Sequence, residues 1–243
     1  MPDKSNWKID SSAPYFVYVD NETANGFEFN NFPFEVIPEG MTLVADMSSN
    51  IASKPIDWSK YGVVYAGAQK NLGPSGMTIV VIREDLIGKH RADTPYMLEW
   101  KLFADSPVGF FNTPATWPIY VAGLNFKYML KEGGIEVQTE KAKVRSHMLY
   151  SYIDSSSGYY VNVVDHKYRS RMNVVFTIGP HHFGFNALEN KFFEESTKQG
   201  LSHLKGLPTY GGIRVSMYNA MPIEGIVKLT AFMEKFRLAN PLP

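Results

Sequence analysis

The stretch Tyr65-Ala66-Gly67-Ala68-Gln69-Lys70-Asn71-Leu72-Gly73-Pro74-Ser75-Gly76 decides how this chain is read. The apolar run Val63 to Ala66 predicts a buried strand that ends in this segment. Gly67, Gly73 and Gly76 are expected to let the backbone turn tightly and come close to a bound group. A second apolar run, Thr42 to Ala45, ends in Asp46. Two strands thus deliver a carboxylate and an amine, and open α/β sheets bind ligands at the carboxyl ends of their strands.

Working outward, the first strand is expected at Tyr15 to Val19, followed by a polar turn through Gly26. The aromatic segment Phe27 to Phe34 is interrupted by polar residues and Pro33, and reads as a packed loop. Met77 to Ile82 predicts a further strand, with Thr78, Ile79, Val80 and Val81 suited to full burial. Short strands in such close succession leave little room for crossover helices, so part of the pairing should be antiparallel. A helix is expected from near Pro118, with Ile119, Ala122, Leu124, Phe126, Met129 and Leu130 as its apolar set. A second should run from about Ile135 to Ile153, burying Val144, Met148, Leu149 and Tyr152. The Gly133-Gly134 pair between them marks the expected boundary of two domains, 1–134 and 135–243. Beyond it come strands Tyr159 to Val163 and Asn173 to Ile178, then a helix from Ala187 to Gln199 stopped by Gly200. A strand from Ile213 to Met217 and a helix from Pro222 to Arg237 complete an α+β unit.

With 243 residues, 44% of them hydrophobic and 20% charged, the chain has material for a sizeable core. Its 24 basic residues balance its 24 acidic ones, so no bulk field gathers nucleic acid or anionic lipid. Zero cysteines exclude disulfides and thiolate metal sites, in keeping with a reducing compartment. No apolar run approaches the ~20 residues that span a bilayer, and the opening residues lack the apolar core of a signal peptide. A cytoplasmic location is the expectation, and an organelle precursor shortened at its front would read identically.

An amine and an acid at neighbouring strand ends suit pyridoxal 5'-phosphate, with Lys70 forming the Schiff base and Asp46 holding the pyridine nitrogen protonated. Lysine is a good nucleophile only when burial or neighbours lower its pKa. A pyridinium beside a carboxylate gains about 4 kcal/mol at ~4 Å and an effective dielectric near 20. That gain corresponds to about three pKa units before any desolvation cost. A phosphate-binding loop is the competing reading. It needs the lysine directly after the last glycine and a hydroxyl residue next, whereas Lys70 precedes Gly73 and is followed by Asn71. The six histidines are scattered and His181-His182 are adjacent, so no metal is expected.

The segments Ala45-Asp46-Met47-Ser48-Ser49-Asn50 and Lys54-Pro55-Ile56-Asp57, with the Lys70 stretch, closely resemble the phosphoserine aminotransferase family. Arg83 to Gly88, Phe111-Asn112-Thr113-Pro114, Arg169 to Asn173, Gly211 to Arg214 and Tyr218 to Pro222 extend the likeness from about Trp7 onwards. The resemblance implies an α/β fold: part of the fold-type I aminotransferase large domain, a mixed sheet with helices, plus a C-terminal α+β small domain. It implies that Lys70 is the Schiff-base lysine and Asp46 the pyridinium partner. It further implies that Thr23 bonds the ring hydroxyl, Gln69 contacts the cofactor phosphate and Arg214 grips the substrate carboxylate. Asn112 and Thr113 would reach the phosphate in a neighbouring subunit, making a homodimer with shared sites. The implied reaction converts glutamate and 3-phosphohydroxypyruvate to 2-oxoglutarate and O-phosphoserine, in serine biosynthesis.

Two departures shape the expectation. The family's leading segment, which supplies phosphate contacts, a stacking ring and basic substrate-binding residues, has no counterpart here. The chain alone is therefore expected to be feeble or inactive, and a non-catalytic subunit is one alternative. After Lys205-Gly206 the family carries a histidine-arginine pair, where this chain has Leu207-Pro208. Neither can donate a side-chain hydrogen bond to a phosphate, so a class V aminotransferase acting on a non-phosphorylated substrate is the other.

Overall fold

Strand β4 (Thr42–Asp46) lies at the centre of the first sheet, because its alternation sends Leu43 and Ala45 into one core. The structure is a computed structural model and describes residues 3–242; Met1, Pro2 and Pro243, at the ends of the two expected domains, lie outside the described residues. The sheet order is β1-β4-β5-β6. Here β1 is Tyr15–Val19, and the hairpin of β2 (Asn21–Glu22) and β3 (Phe27–Glu28) follows it. Strand β5 is Val63–Gly67 and β6 is Thr78–Ile82. The pairs β1–β4 and β4–β5 are parallel and β5–β6 is antiparallel, the mixed pairing expected from short connections.

One face of this sheet packs against Phe29, Phe32, Met47, Ile51 and Leu72. The segment Phe27 to Phe34 is packed as expected, its rings entering the core, and differs from a loop only in the two-residue strand at its start and a short turn of helix at its end. The other face is open at both edges: Tyr15, Val17 and Val19 of β1 are about half exposed, as is Val80 of β6. The expectation of full burial for Met77 to Ile82 is thus corrected. Its β-branched residues suit a buried strand, but β6 is an edge strand paired on one side only.

Helices α1 (Trp100–Ala104) and α2 (Thr116–Lys131) follow, then α3 (Gly134–Ser155). Pro118 occupies the first turn of α2, as a proline should, but only Ala122 of that helix is buried. Leu124 and Leu130 are exposed, contrary to the apolar set read from the sequence. In α3, Leu149 is buried and Met148 and Tyr152 pack against the core, whereas Val144 is exposed. The buried stripe runs through Ala142, Arg145, Leu149 and Ile153, which turns Val144 outward.

The second sheet, β7 (Tyr160–Val161), β8 (Asn173–Ile178) and β9 (Ile213–Ser216), is antiparallel throughout. Strand β7 is shorter than the expected Tyr159 to Val163, and Val163 is exposed. Helices α3, α4 (Ala187–Lys198) and α5 (Ile223–Ala239) enclose a core of Val174, Phe176, Ile178, Phe192 and Met233. A capping box fixes the start of α4: the Asn186 side chain accepts from Glu189 N, and Glu189 reaches back to Asn186 N. Gly200, at φ +75°, ends it as expected.

Candidate active site

Residues 68–73 form a compact turn in which Leu72 N and Gly73 N both donate to Ala68 O, at 3.1 and 2.8 Å. Ala68 and Leu72 point into the core, leaving Lys70 part-buried on the polar side. The Asn125 amide of α2 donates to Asn71 O and Leu72 O, closing the turn's free carbonyls. Of the three glycines expected to approach a bound group, Gly73 instead lets Ala122 come close, since a Cβ would meet Ala122 at 3.1 Å. Gly76 adopts φ +100°, a conformation that side chains disfavour.

Asp46 ends β4 on the open face of the sheet, directly across the ladder from Tyr65. Its Oδ1 accepts from Ser48 N at 2.8 Å, and Ser48 Oγ accepts from Gly67 N at 3.1 Å. The acid's turn and the end of the lysine's strand are thereby tied together. Burial and the adjacent Asp46 carboxylate both push the Tyr65 phenol above its usual pKa.

Burial lowers the Lys70 pKa below 10.5; the carboxylates of Asp46 and Glu22 pull it back, and the Arg214 guanidinium pushes it down. These four groups therefore share one electrostatic environment, though they come from β4, β2, β9 and the turn after β5. An amine with a depressed pKa holds more of its neutral, nucleophilic form at a given pH. Arg214 is part-buried on β9, opposite Val175 of β8. Thr23 sits part-buried in the turn of the β2–β3 hairpin, whose Glu22 carboxylate accepts from Ala24 N and Asn25 N. Gln69 is exposed, with its side chain folded over Gly67.

Asn112 and Thr113 lie in an exposed stretch before α2. No hydrogen bond or ion pair among the described residues joins them to Lys70, Asp46 or Arg214. The described residues contain no cluster of three or more His, Cys, Asp or Glu that could hold a metal. His182 is occupied by Pro180 O and Glu189. No described helix is long and apolar enough to cross a membrane.

Sequence reasoning missed Glu22, Tyr65 and Tyr218 as neighbours of this cluster. Tyr65 is itself the ladder partner of Asp46, and paired residues on neighbouring strands share a face. The phenol of Tyr218 lies in the field of Arg214, and its oxygen accepts from Asn173 at 3.2 Å. Nothing local in the sequence announces that contact.

The family profile described as Aminotransferase class-V matches residues 1–229. The chain belongs to the class-V aminotransferase family. Phosphoserine aminotransferase of Chromobacterium violaceum is 45% identical over 236 residues, covering 97% of this chain and 63% of that protein. The phosphoserine aminotransferase of Drosophila melanogaster is 44% identical over 240 residues, with 99% and 65% covered. Among solved structures, phosphoserine aminotransferase from Bacillus circulans subsp. alkalophilus superposes with a TM-score of 0.91 at 36% identity. It is matched over 98% of this chain and 64% of its own length. A pyridoxal-phosphate-bound phosphoserine aminotransferase from Trichomonas vaginalis gives 0.88 at 35%, covering 96% and 63%. This member of the family thus spans a little under two thirds of the length of those relatives, and its mixed sheet and helices are those of the fold-type I aminotransferases.

Proposed function

We propose that this chain carries the lysine-bearing half of a pyridoxal 5'-phosphate-dependent transaminase of serine biosynthesis. Glutamate and 3-phosphohydroxypyruvate are the substrates of this reading, 2-oxoglutarate and O-phosphoserine its products. The observation that carries it is Asp46 at the end of β4, tied through Ser48 to the end of the strand that leads into the Lys70 turn, with the Asp46, Glu22 and Arg214 charges all acting on the part-buried amine. These residues fit one side of the cofactor: an amine whose pKa burial lowers, and an acid at the end of the neighbouring strand that accepts from Ser48 N through one oxygen.

When bound, the cofactor supplies a carbonyl carbon that condenses with amines and a ring that accepts electrons. With the cofactor bound, Asp46 would offer its carboxylate to the ring nitrogen, Thr23 its hydroxyl to the ring oxygen and Gln69 its amide to the phosphate. Lys70 Nζ, once neutral, would take the proton from the substrate carbon, hold it as the ammonium and give it up again within the same half-reaction, so that the amine is not consumed. Arg214 holds the substrate carboxylate through two parallel N–H bonds, which fix its orientation as well as its charge. In this reading Asn112 and Thr113, which are exposed, would serve the phosphate of a second copy, giving a homodimer with shared sites; a cytoplasmic location belongs to the same reading. Residues 1–134 form the partial large domain and 135–243 the small one.

A second reading concerns the substrate. Leu207 and Pro208 are exposed and carry no donor where a phosphate-binding pair is expected, which favours a non-phosphorylated amino or keto acid. Mixing the purified chain with pyridoxal phosphate and recording visible absorbance tests the cofactor assignment. The expected outcome is a band in the wild type that Lys70→Ala removes entirely. A wild-type chain without that band rejects autonomous cofactor binding.

A further inference from the structure

We propose that buried asparagines strap the Arg214 strand to the Lys70 and Asp46 turns, making Asn21 and Asn173 positioning residues for the substrate carboxylate. This rests on the reading of Arg214 as the carboxylate-binding arginine.

The first sheet and the second share no strand ladder, so pairing does not fix β9 relative to β4 and β5. Side-chain amides do so instead. Asn21, fully buried two residues before Thr23, donates through Nδ2 to Ser49 Oγ at 2.8 Å and to Asn173 Oδ1 at 3.0 Å. Ser49 Oγ donates back to Asn21 O, and lies three residues beyond Asp46. Asn21 Oδ1 accepts from Ser170 Oγ, so both ends of this amide are used. Asn173, wholly buried in β8, then donates to Ser216 Oγ at 3.3 Å and Tyr218 Oη at 3.2 Å. Ser216 and Tyr218 follow Arg214 on its own strand and just beyond, and Tyr218 lies in the guanidinium's field.

A second link runs beside the first. Asn71, the residue after Lys70, accepts from Asn219 N at 3.0 Å and donates to Ile51 O at 2.8 Å. Asn219 donates to Ala52 O at 2.7 Å. The lysine turn, the turn after Asp46 and the segment after Arg214 therefore meet through carboxamides. An amide suits this task because it donates and accepts from one short, rigid plane. A buried amide removed leaves its partners unpaired, which costs more than the bond itself contributes. The purpose follows from geometry: a substrate held at its carboxylate presents its reacting carbon to Lys70 only if guanidinium and amine keep a fixed separation.

The test uses the full chain. Asn21→Leu keeps the volume and removes the bonds, and Ser49→Ala is a milder cut of the same link. Amide hydrogen exchange, read without any ligand, is expected to rise about tenfold at residues 213–218, which residue 21 does not touch. Helix α4 should keep its protection. Unchanged exchange at 213–218, or an equal rise in α4, overturns the strap. Asn173→Leu is expected to weaken 2-oxoglutarate by about tenfold and pyridoxal phosphate by less than about threefold, read by calorimetry and by absorbance. Asn173→Asp should restore the dicarboxylate, since a carboxylate still accepts from Asn21 and takes the Ser216 and Tyr218 hydroxyls as donors once these turn toward it. Parallel loss of both ligands, or no rescue, overturns the positioning role. A wild type that binds no pyridoxal phosphate counts against the proposed function instead, and the exchange experiment then decides the strap alone.

Discussion

The two larger sheets of this molecule handle the same β-branched residues in opposite ways. In the second sheet, β8 buries Val174, Phe176 and Ile178 beneath α3, α4 and α5, so apolar burial is close to complete. In the first, Leu43, Ala45, Val64 and Ala66 are buried on one face, while Tyr15, Val17 and Val80 look outward from the other. A strand's composition states how much burial it would tolerate. Whether it receives that burial depends on what packs upon it. The candidate site sits where the open face meets the second sheet, which is where polar groups and solvent access are both available.

The largest effect should come from the closed core. Phe192→Ala, at a wholly buried ring, is expected to cost about 3–5 kcal/mol in urea unfolding. A cost near zero would mean that the second sheet is no better packed than the first. Next comes the seam between the regions. Lys54 lies 2.7 Å from Asp20 and 3.6 Å from Glu28, both buried acids, and Arg171 N donates to Glu28 from the second half. Lys54→Met leaves those acids short of a cation and should destabilise by about 3 kcal/mol or more. A cycle with Asp20→Asn would show a strong coupling between the two changes, and additive costs would disprove it.

A smaller effect is expected from pH. Lys70 has its folded pKa below 10.5 because it is part-buried, so the unfolded chain binds more protons in the window between the two values. Stability tied to this group is least when the amine is charged in both states and rises with pH from the folded pKa up to 10.5. Thermal unfolding of Lys70→Met should show a flatter alkaline profile than the wild type, and superimposable profiles would argue against a depressed pKa. The smallest change belongs to the open face: Val80→Thr should shift stability by no more than about 0.5 kcal/mol. A cost of the size expected at Phe192 would show that β6 is covered after all.

Local chemistry made much of this legible. Asn173–Ile178 was readable as a strand from its apolar run, and α4 from its asparagine start and glycine stop. Asp46 and Lys70 were readable together because one short strand ends in the acid and the next runs into the turn that carries the amine. Burial on β6 and α2 was not, since an edge position is a property of the sheet. Arg214 as a neighbour of Lys70 came from resemblance alone, and Asn21 with Asn173 came from no signal at all. Asparagine in a sequence reads as a turn former or a cap, and its use as a strut needs both partners in view.

By itself the sequence determined the order of elements and the acid and amine at adjacent strand ends, because hydrophobic period and turn residues act over a few positions. Only the tertiary structure decided which strand faces solvent and which distant charges share the lysine's field. Those outcomes follow from contacts between segments far apart in the chain, where burial and Coulomb forces depend on distance in space.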